Sequence, residues 1–600
     1  MQKSLQRAAQ LRKKYNFLIN VFLIVLLALA IAAPTVLNLY FVSFLCVLFV
    51  YMMLSISLNI ADGFCGMQTM ATGALYGMGA YFAAFASVKW GMPFIPAVLV
   101  GTLAAGVIGL VISGSAYKVS GAYLTLVSYG MLQVFNCIIV NEYEFTGGAT
   151  GFKVNPMVLF GHSFNKVEKY YFLLAFVVVF YLLQKTLFHS QWGRDFFAVK
   201  NNPVAAAGLG INVGKWRIIG FMLSSMMAGF AGALYAFYAN FISPESFTFN
   251  LSIMVLLMIY FGGRGSLVGP ILGTIIVYGV PEMFKANPDV KQIIYGVLLI
   301  VCVQVMPKGL TGIFKKHFPE VAYNKEIEGK PVAEKLDLEK YRVEITAPDE
   351  DILVLKGLTK QYGGLTALNH LDMTIKRGTI HALIGPNGAG KTTCVNNMTG
   401  IEKPTSGTVI YKGKDITGLP SSKLAYLGIT RTYQHVRLFN DMSVLDNVAV
   451  GARLSRSYSL FDALLSTRKR RKTDRESYME AQECLENLGL GTKSNEFPGN
   501  MSAGQQKLLE IARAFVAKPE LLVLDEPCAG LTESETLEFA HLIKEIRKTG
   551  ISILLIEHHM SLVMDVSDYI TVIDHGTKIG EGTPKVVSAD PVVRKAYLGD

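Results

Sequence analysis

From Met1 to Pro307 the chain is a succession of long apolar runs divided by a few charged residues, and from Lys308 onward charge becomes dense and mixed in sign. Uncharged stretches cover 15–61, 63–88, 90–117, 119–141, 170–184, 218–244, 246–263, 265–281 and 292–307. About 20 apolar residues carry a helix across the hydrocarbon core. The first stretch is long enough for two helices, divided near Pro34, so the pattern predicts ten spans, with 170–184 and the last three short. The N-terminal run mimics a secretory signal, but further apolar runs follow and no small-residue cleavage site is visible. It reads as a retained first span.

The charges between these runs orient them. With the N-terminus inside, the inner segments carry twelve basic residues (Lys3, Arg7, Arg12, Lys13, Lys14, Lys118, Lys185, Arg194, Lys200, Lys215, Arg217 and Arg264) against Asp62 and Asp195. The outer segments carry six, Lys89, Lys153, Lys166, Lys169, Lys285 and Lys291, matched by six acidic residues. Basic residues gather on the cytoplasmic side of membrane proteins. The chain is therefore expected to be multi-pass in the cytoplasmic membrane, with its N-terminus and its charged C-terminal half in the cytosol. Glycine-rich runs such as "GALYGMGAYFAAFA" (73–86) suit close helix packing in lipid. "YFGGRGSLVGP" (260–270) is the best candidate for a helix break.

Composition agrees: the chain of 600 residues is 51% hydrophobic with a mean hydropathy of +0.38, too apolar for an ordinary soluble protein. The seven cysteines are scattered and never form a C-x-x-C pair, which argues against a metal or disulfide framework. The net charge of +11 admits a nucleic-acid partner. The basic residues sit beside apolar runs, however, and the "RKRRK" run (468–472) reads as a solvated helix face or a lipid contact.

The pattern divides the chain into a membrane domain (1–314), a charged, proline-bearing linker (315–350) and a soluble domain (351–600). In the soluble part, "TIHALIGPNGAGKTTCVNNM" (379–398) is a short apolar strand, a glycine-rich turn and a helix start. Gly385-x4-Gly390-Lys391-Thr392 is the spacing of a phosphate-binding loop in its required context. Gly385, Asn387, Gly388, Gly390, Lys391, Thr392 and Thr393 are the candidate ATP contacts. Lys391 is placed for the β/γ-phosphates and the Thr392 hydroxyl for Mg²⁺. A second apolar run, "ELLVLDEP" (520–527), ends in Asp525, a Mg²⁺ ligand by position, and Glu526, placed to polarise an attacking water.

A third element decides the class. "NMSAGQQKLLEIARAF" (500–515) resembles the signature of ATP-binding-cassette (ABC) ATPases. Ser502, Gly504 and Gln505 match it, and Met501 replaces the usual leucine. The resemblance implies an adenine-stacking role for Tyr362, a metal-linking and membrane-coupling role for Gln434, and γ-phosphate sensing by His558. His559 stands where the nearest branch usually has Asp.

The segment "NNPVAAAGLGINVGKWR" (201–217) has Asn202 as an N-cap, Pro203 at the first helical position and glycines as stops. It resembles the coupling loop of importer permeases. With "SLNIADGFCGMQTMATGALYGMGAY", "TGGATGF", "NFISPESFTF", "TRTYQHVRLF" and the terminal "AYLGD", the chain resembles branched-chain (hydrophobic) amino acid ABC importers, a permease subunit fused to its ATP-binding subunit. The expected fold is an α-helical polytopic membrane domain followed by an α/β P-loop NTPase domain of ABC type. The likeness implies ATP and Mg²⁺, a second permease/ATPase half (identical or different) and an extracytoplasmic solute-binding protein. No nucleic acid is expected. A homodimeric exporter and a membrane-anchored regulatory ATPase are the alternatives. Ten spans exceed both the six of a usual exporter half and the needs of an anchor.

Overall fold

The structure, a computed structural model, describes residues 20–116, 121–283, 288–306, 309–312, 338, 341–342 and 350–598. The basic N-terminal residues, Lys118, Lys285, most of the linker and the last two residues lie outside the described residues. The chain forms two compact units, Met1–Phe196 with Gly214–Glu320, and Phe197–Val213 with Val321–Asp600.

The first unit is a set of apolar helices. Among the described residues six are long and apolar enough to cross a membrane: Leu39–Phe64, Phe94–Gly114, Tyr123–Asn141, Lys166–Phe188, Val213–Ala239 and Pro244–Gly262. The other four expected stretches hold Asn20–Val36, Thr72–Val88, Gly269–Met283 and Pro288–Val305. The first break falls later than expected. The helix runs past Pro34 to Val36; proline there cannot donate to the Ala30 carbonyl, which accepts instead from the Tyr170 hydroxyl at 2.6 Å, and Asn38 caps the following helix by accepting from the Phe41 N–H at 3.1 Å.

Two irregular stretches meet inside this unit. Helix Leu39–Leu58 opens into a π-turn, Asn59–Phe64, and the chain breaks between Phe249–Gly262 and Gly269–Met283. Asn59 ties them in both directions, donating to the Ser266 carbonyl at 2.9 Å and accepting from the Gly265 N–H at 2.8 Å. Asp62 and Arg264 form an ion pair at 2.6 Å, and Arg264 also donates to the Asp62 carbonyl at 3.0 Å. Asp62 is wholly buried within the π-turn, so the expectation that it is a loop charge is corrected, while Arg264 does lie in the turn between two helices. They satisfy the backbone of the two breaks. The break itself needs glycine, since Gly263 and Gly265 take φ of +119° and +75° and a Cβ on Gly262 would lie 1.8 Å from the Gly269 carbonyl oxygen. Lys169 is likewise inside a helix rather than in an outer loop, its ammonium donating to the Phe237 carbonyl at 3.2 Å.

The second unit carries a six-stranded sheet in the order Ile429–Arg431, Leu521–Asp525, Ser552–Ile556, Ile380–Ile384, Tyr569–Asp574, Thr577–Gly582. The first five strands are parallel and the last pair is antiparallel. Three of the central strands are buried along their whole length, as their unbroken Leu/Ile/Val runs require. A four-stranded antiparallel sheet, Leu365–Lys376, Asp351–Tyr362, Ser406–Tyr411 and Lys414–Asp415, flanks it. Helices Val444–Gly451, Arg468–Asn487 and Ala503–Phe515 form a helical portion. Leu338 and Tyr341, from the stretch read as linker, are buried in its core, with the Tyr341 ring 4.5 Å from that of Phe515. Cys394, Cys484 and Cys528 are free and buried.

Candidate active site

The strand Ile380–Ile384 delivers the chain into the glycine loop, and helix Lys391–Met398 leaves it. Gly388 and Gly390 take φ of +84° and +98°, and a Cβ on Gly390 would meet the Ala367 carbonyl oxygen at 2.5 Å. Only glycine fits that turn. The Lys391 ammonium donates to the loop carbonyls of Gly385 and Pro386 at 2.7 and 2.9 Å. Burial pushes it below its ordinary pKa, against the opposing pull of Glu526 and Asp525. Asn387 and Thr392 are exposed and Thr393 is half-buried. Tyr362 ends its strand beside this helix, its hydroxyl bonded to Glu402 and near the Thr393 hydroxyl, with the Lys360 ammonium 5.0 Å from its ring.

Strand Leu521–Asp525 places two carboxylates next to the loop. Asp525 is buried and paired with Arg431 at 2.8 Å. Arg431 also donates to Asn396 and Thr399 at 2.8 and 3.1 Å, which ties the helix after the loop to the neighbouring strand. Glu526 sits at φ +48°, a left-handed conformation rare outside glycine and favoured at functional turns. Its carboxylate meets two expected partners: Gln434 Nε2 donates to Oε2 at 3.0 Å, and His558 Nε2 lies 2.6 Å from Oε1. Buried Glu557 supports this corner by accepting the N–H groups of Cys528 at 2.7 Å and His558 at 3.0 Å. Arg431 and Glu557 carry no motif of their own and were not foreseen from the sequence. A carboxylate held between an imidazole and an amide, beside a phosphate loop and a lysine, can activate water for phosphoryl transfer. His559 occupies the cap position of helix Met560–Val566 and makes no side-chain cap bond, and the His558 contact with Glu526 is in place.

Ser502 caps the signature helix in a reciprocal box with Gln505, and Ser502 itself is exposed. Met501 lies in the core. A Cβ on Gly504 would come within 2.9 Å of the Glu535 carboxylate.

The same unit contains the segment Phe197–Val213. Asn202 caps helix Pro203–Gly208 by accepting from the Ala205 N–H at 3.0 Å, and Ala205 and Ala206 are buried. The Tyr433 hydroxyl donates to the Val204 carbonyl at 3.0 Å, and a Cβ on Gly208 would meet that hydroxyl at 2.8 Å. Lys200 pairs with Asp441 at 3.1 Å, and Arg453 donates to the Gly210 carbonyl at 3.3 Å.

Comparison with known proteins places both parts of the chain. Residues 40–303 match the branched-chain amino acid transport system / permease component family, 368–529 match the ABC transporter family, and 577–600 match the branched-chain amino acid ATP-binding cassette transporter family. The high-affinity branched-chain amino acid transport ATP-binding protein LivG of Salmonella typhimurium is 43% identical over 252 residues, 42% of this chain and 99% of LivG. The corresponding protein BraF of Pseudomonas aeruginosa is 41% identical over 250 residues, 42% of this chain and 98% of BraF. A solved nucleotide-free ATP-binding cassette from an ABC transporter is 32% identical, covers 42% of this chain and 100% of that one, and has a TM-score of 0.37. The chain belongs to the branched-chain amino acid ABC transporter family, with a membrane permease domain and an ATP-hydrolysing cassette joined in one polypeptide.

Proposed function

We propose that this chain is half of an ATP-driven importer that moves a small amino acid or amide, aliphatic amino acids first, across the cytoplasmic membrane. The observation that carries this reading is the run of contacts from Val204 through Tyr433 to Gln434 and Glu526, which joins a permease-type loop to the hydrolytic carboxylate. In this reading Tyr362 stacks on adenine, and Lys391 with the N–H groups of the glycine loop holds the phosphates. Ser502, Gly504 and Gln505 of a second cassette close over the γ-phosphate. Glu526 takes the proton of the attacking water, and His558 orients that carboxylate and senses the γ-phosphate.

Thr392, Gln434 and Asp525 offer hydroxyl, amide and carboxylate oxygens, the hard donors that suit Mg²⁺. Bound there, Mg²⁺ would neutralise the developing phosphate charge.

Ten spans with the N-terminus and cassette in the cytosol remain the favoured topology, supported by the distribution of basic residues. The partner half supplies the second cassette, and an extracytoplasmic binding protein delivers the solute. Few charges lie in the apolar helices; Asp62 is paired with Arg264 and Lys169 donates to backbone carbonyls, which suits a small zwitterion better than a strongly ionic solute. The test is ATPase activity of the reconstituted transporter with a leucine-loaded binding protein. Stimulation by the loaded protein supports import. Stimulation by lipophilic compounds, without the binding protein, would reassign the chain to export.

A further inference from the structure

A corner of the cassette away from the ATP site carries a surface that nucleotide chemistry does not explain. After the turn Ala452–Ser455 the chain forms a short helix, Leu460–Leu465, and then the long helix Arg468–Asn487. The corner is held from within. Ser459 and Asp462 form a capping box, and the Thr467 hydroxyl donates to Asp462 at 2.7 Å. Buried Arg470 donates to the Ala463 carbonyl at 2.6 Å and pairs with Asp474 at 3.3 Å, and Tyr458 donates to the same carboxylate at 3.0 Å.

What faces outward is unlike a solvated helix. Phe461 and Leu465 are 68% and 58% exposed, and Arg468, Lys469, Arg471 and Lys472 are exposed beside them. Two large apolar side chains next to four cations, within twelve residues, form an amphipathic edge, with Asp474 held inside by Arg470 and Tyr458 and the Asp462 carboxylate engaged by Ser459 and Thr467. Such an edge suits an anionic lipid surface, where cations meet headgroups and apolar side chains enter the boundary beneath. The turn leading into this corner also meets the loop that leads to a membrane helix. Arg453 donates to the Gly210 carbonyl, and a Cβ on Gly210 would lie 2.4 Å from Leu454. Gly210 precedes the apolar helix Val213–Ala239 by three residues.

We infer that the 460–472 corner is a membrane foot of the cassette, binding anionic headgroups through Arg468, Lys469, Arg471 and Lys472 and inserting Phe461 and Leu465. The test uses the full chain in nanodiscs, with native cysteines replaced and a spin label on Leu465→Cys. Exposed Leu537 on the same cassette, as Leu537→Cys, is the control. In discs containing phosphatidylglycerol the label at 465 should gain accessibility to oxygen at the expense of a water-soluble nickel reagent, and that at 537 should not. The gain should shrink at least about twofold in phosphatidylcholine discs and when the four cations are changed together to Gln. A label in water under both lipid compositions, or one shielded only when a partner protein is added, overturns the proposal. If the cysteine-free background does not fold, Phe461→Trp in the native background should add fluorescence quenched by brominated phosphatidylglycerol. Its absence also overturns the proposal.

Discussion

The Tyr433 hydroxyl donates to the Val204 carbonyl at 3.0 Å, and the next residue along the chain, Gln434, donates to the Glu526 carboxylate at 3.0 Å. One strand exit thus meets the loop Asn202–Gly210 on one side and the Glu526 carboxylate on the other. Cation–π contacts with Arg431 and Arg437, 5.3 and 5.0 Å from the ring centre, hold Tyr433 in place.

Tyr433→Phe keeps those ring contacts and removes one hydrogen bond of ~1 kcal/mol, enough for an about fivefold change in a coupled equilibrium. Solute moved per ATP hydrolysed should fall by about that factor while ATP binding is kept. Ala206→Trp, at a wholly buried position, should cost ~1–3 kcal/mol of packing and uncouple more severely. Unchanged coupling ratios in both variants would remove this loop from the transport cycle.

Glu526→Gln should bind ATP normally and hydrolyse it at least ~100-fold more slowly, because the base is lost while the phosphate contacts stay. Lys391→Ala should weaken nucleotide binding itself. Nucleotide titration beside single-turnover hydrolysis separates the two, and hydrolysis near the wild-type rate in Glu526→Gln would place the base elsewhere.

Arg431→Met should destabilise the cassette by ~3 kcal/mol, since it strands the buried Asp525 carboxylate. Arg431→Lys keeps a charge but cannot reach Asp525, Asn396 and Thr399 together, and should recover only part of the loss. Chemical denaturation followed in the cassette provides the measurement. A wild-type midpoint in Arg431→Met would show that Asp525 does not need this partner.

His381, in the strand that feeds the phosphate loop, bonds to Thr571 at 2.9 Å, and burial pushes its pKa down to about 4. Its ordinary value is near 6.5, so the unfolded chain binds a proton between pH 6.5 and 4 that the folded chain does not. The stability tied to neutral His381 is fully present above pH 6.5 and lost as pH falls toward 4, by ~3 kcal/mol in all. His381→Gln should flatten that acid limb in pH-dependent unfolding. An unchanged slope would mean that another group sets it.

The phosphate loop, the Asp525–Glu526 pair and the signature cap were readable because each is a local run whose spacing fixes its backbone. Glu526 was foreseen from its place after an apolar strand and Gln434 and His558 through resemblance, and the fold brings them within hydrogen-bonding distance. Arg431 was not visible, because its value lies in a contact with Asp525 across neighbouring strands, 94 residues away in sequence. Asp62 was misplaced for a related reason. Marking span ends by charge treats every charge as solvated, whereas a wholly buried Asp62 can pair with Arg264 where two helix breaks meet. The break at 260–270 was legible from its glycines, but its π-turn counterpart at Asn59–Phe64 was not, because an α-helix and a π-turn share one hydrophobic pattern.

The most direct test of the account is accumulation of radiolabelled leucine, isoleucine and valine, then urea, in vesicles loaded with ATP and holding the chain with its partner half. The account predicts inward accumulation against the gradient that requires both ATP and the external binding protein and disappears in Glu526→Gln. Accumulation that persists in Glu526→Gln, or movement outward without the binding protein, would contradict it.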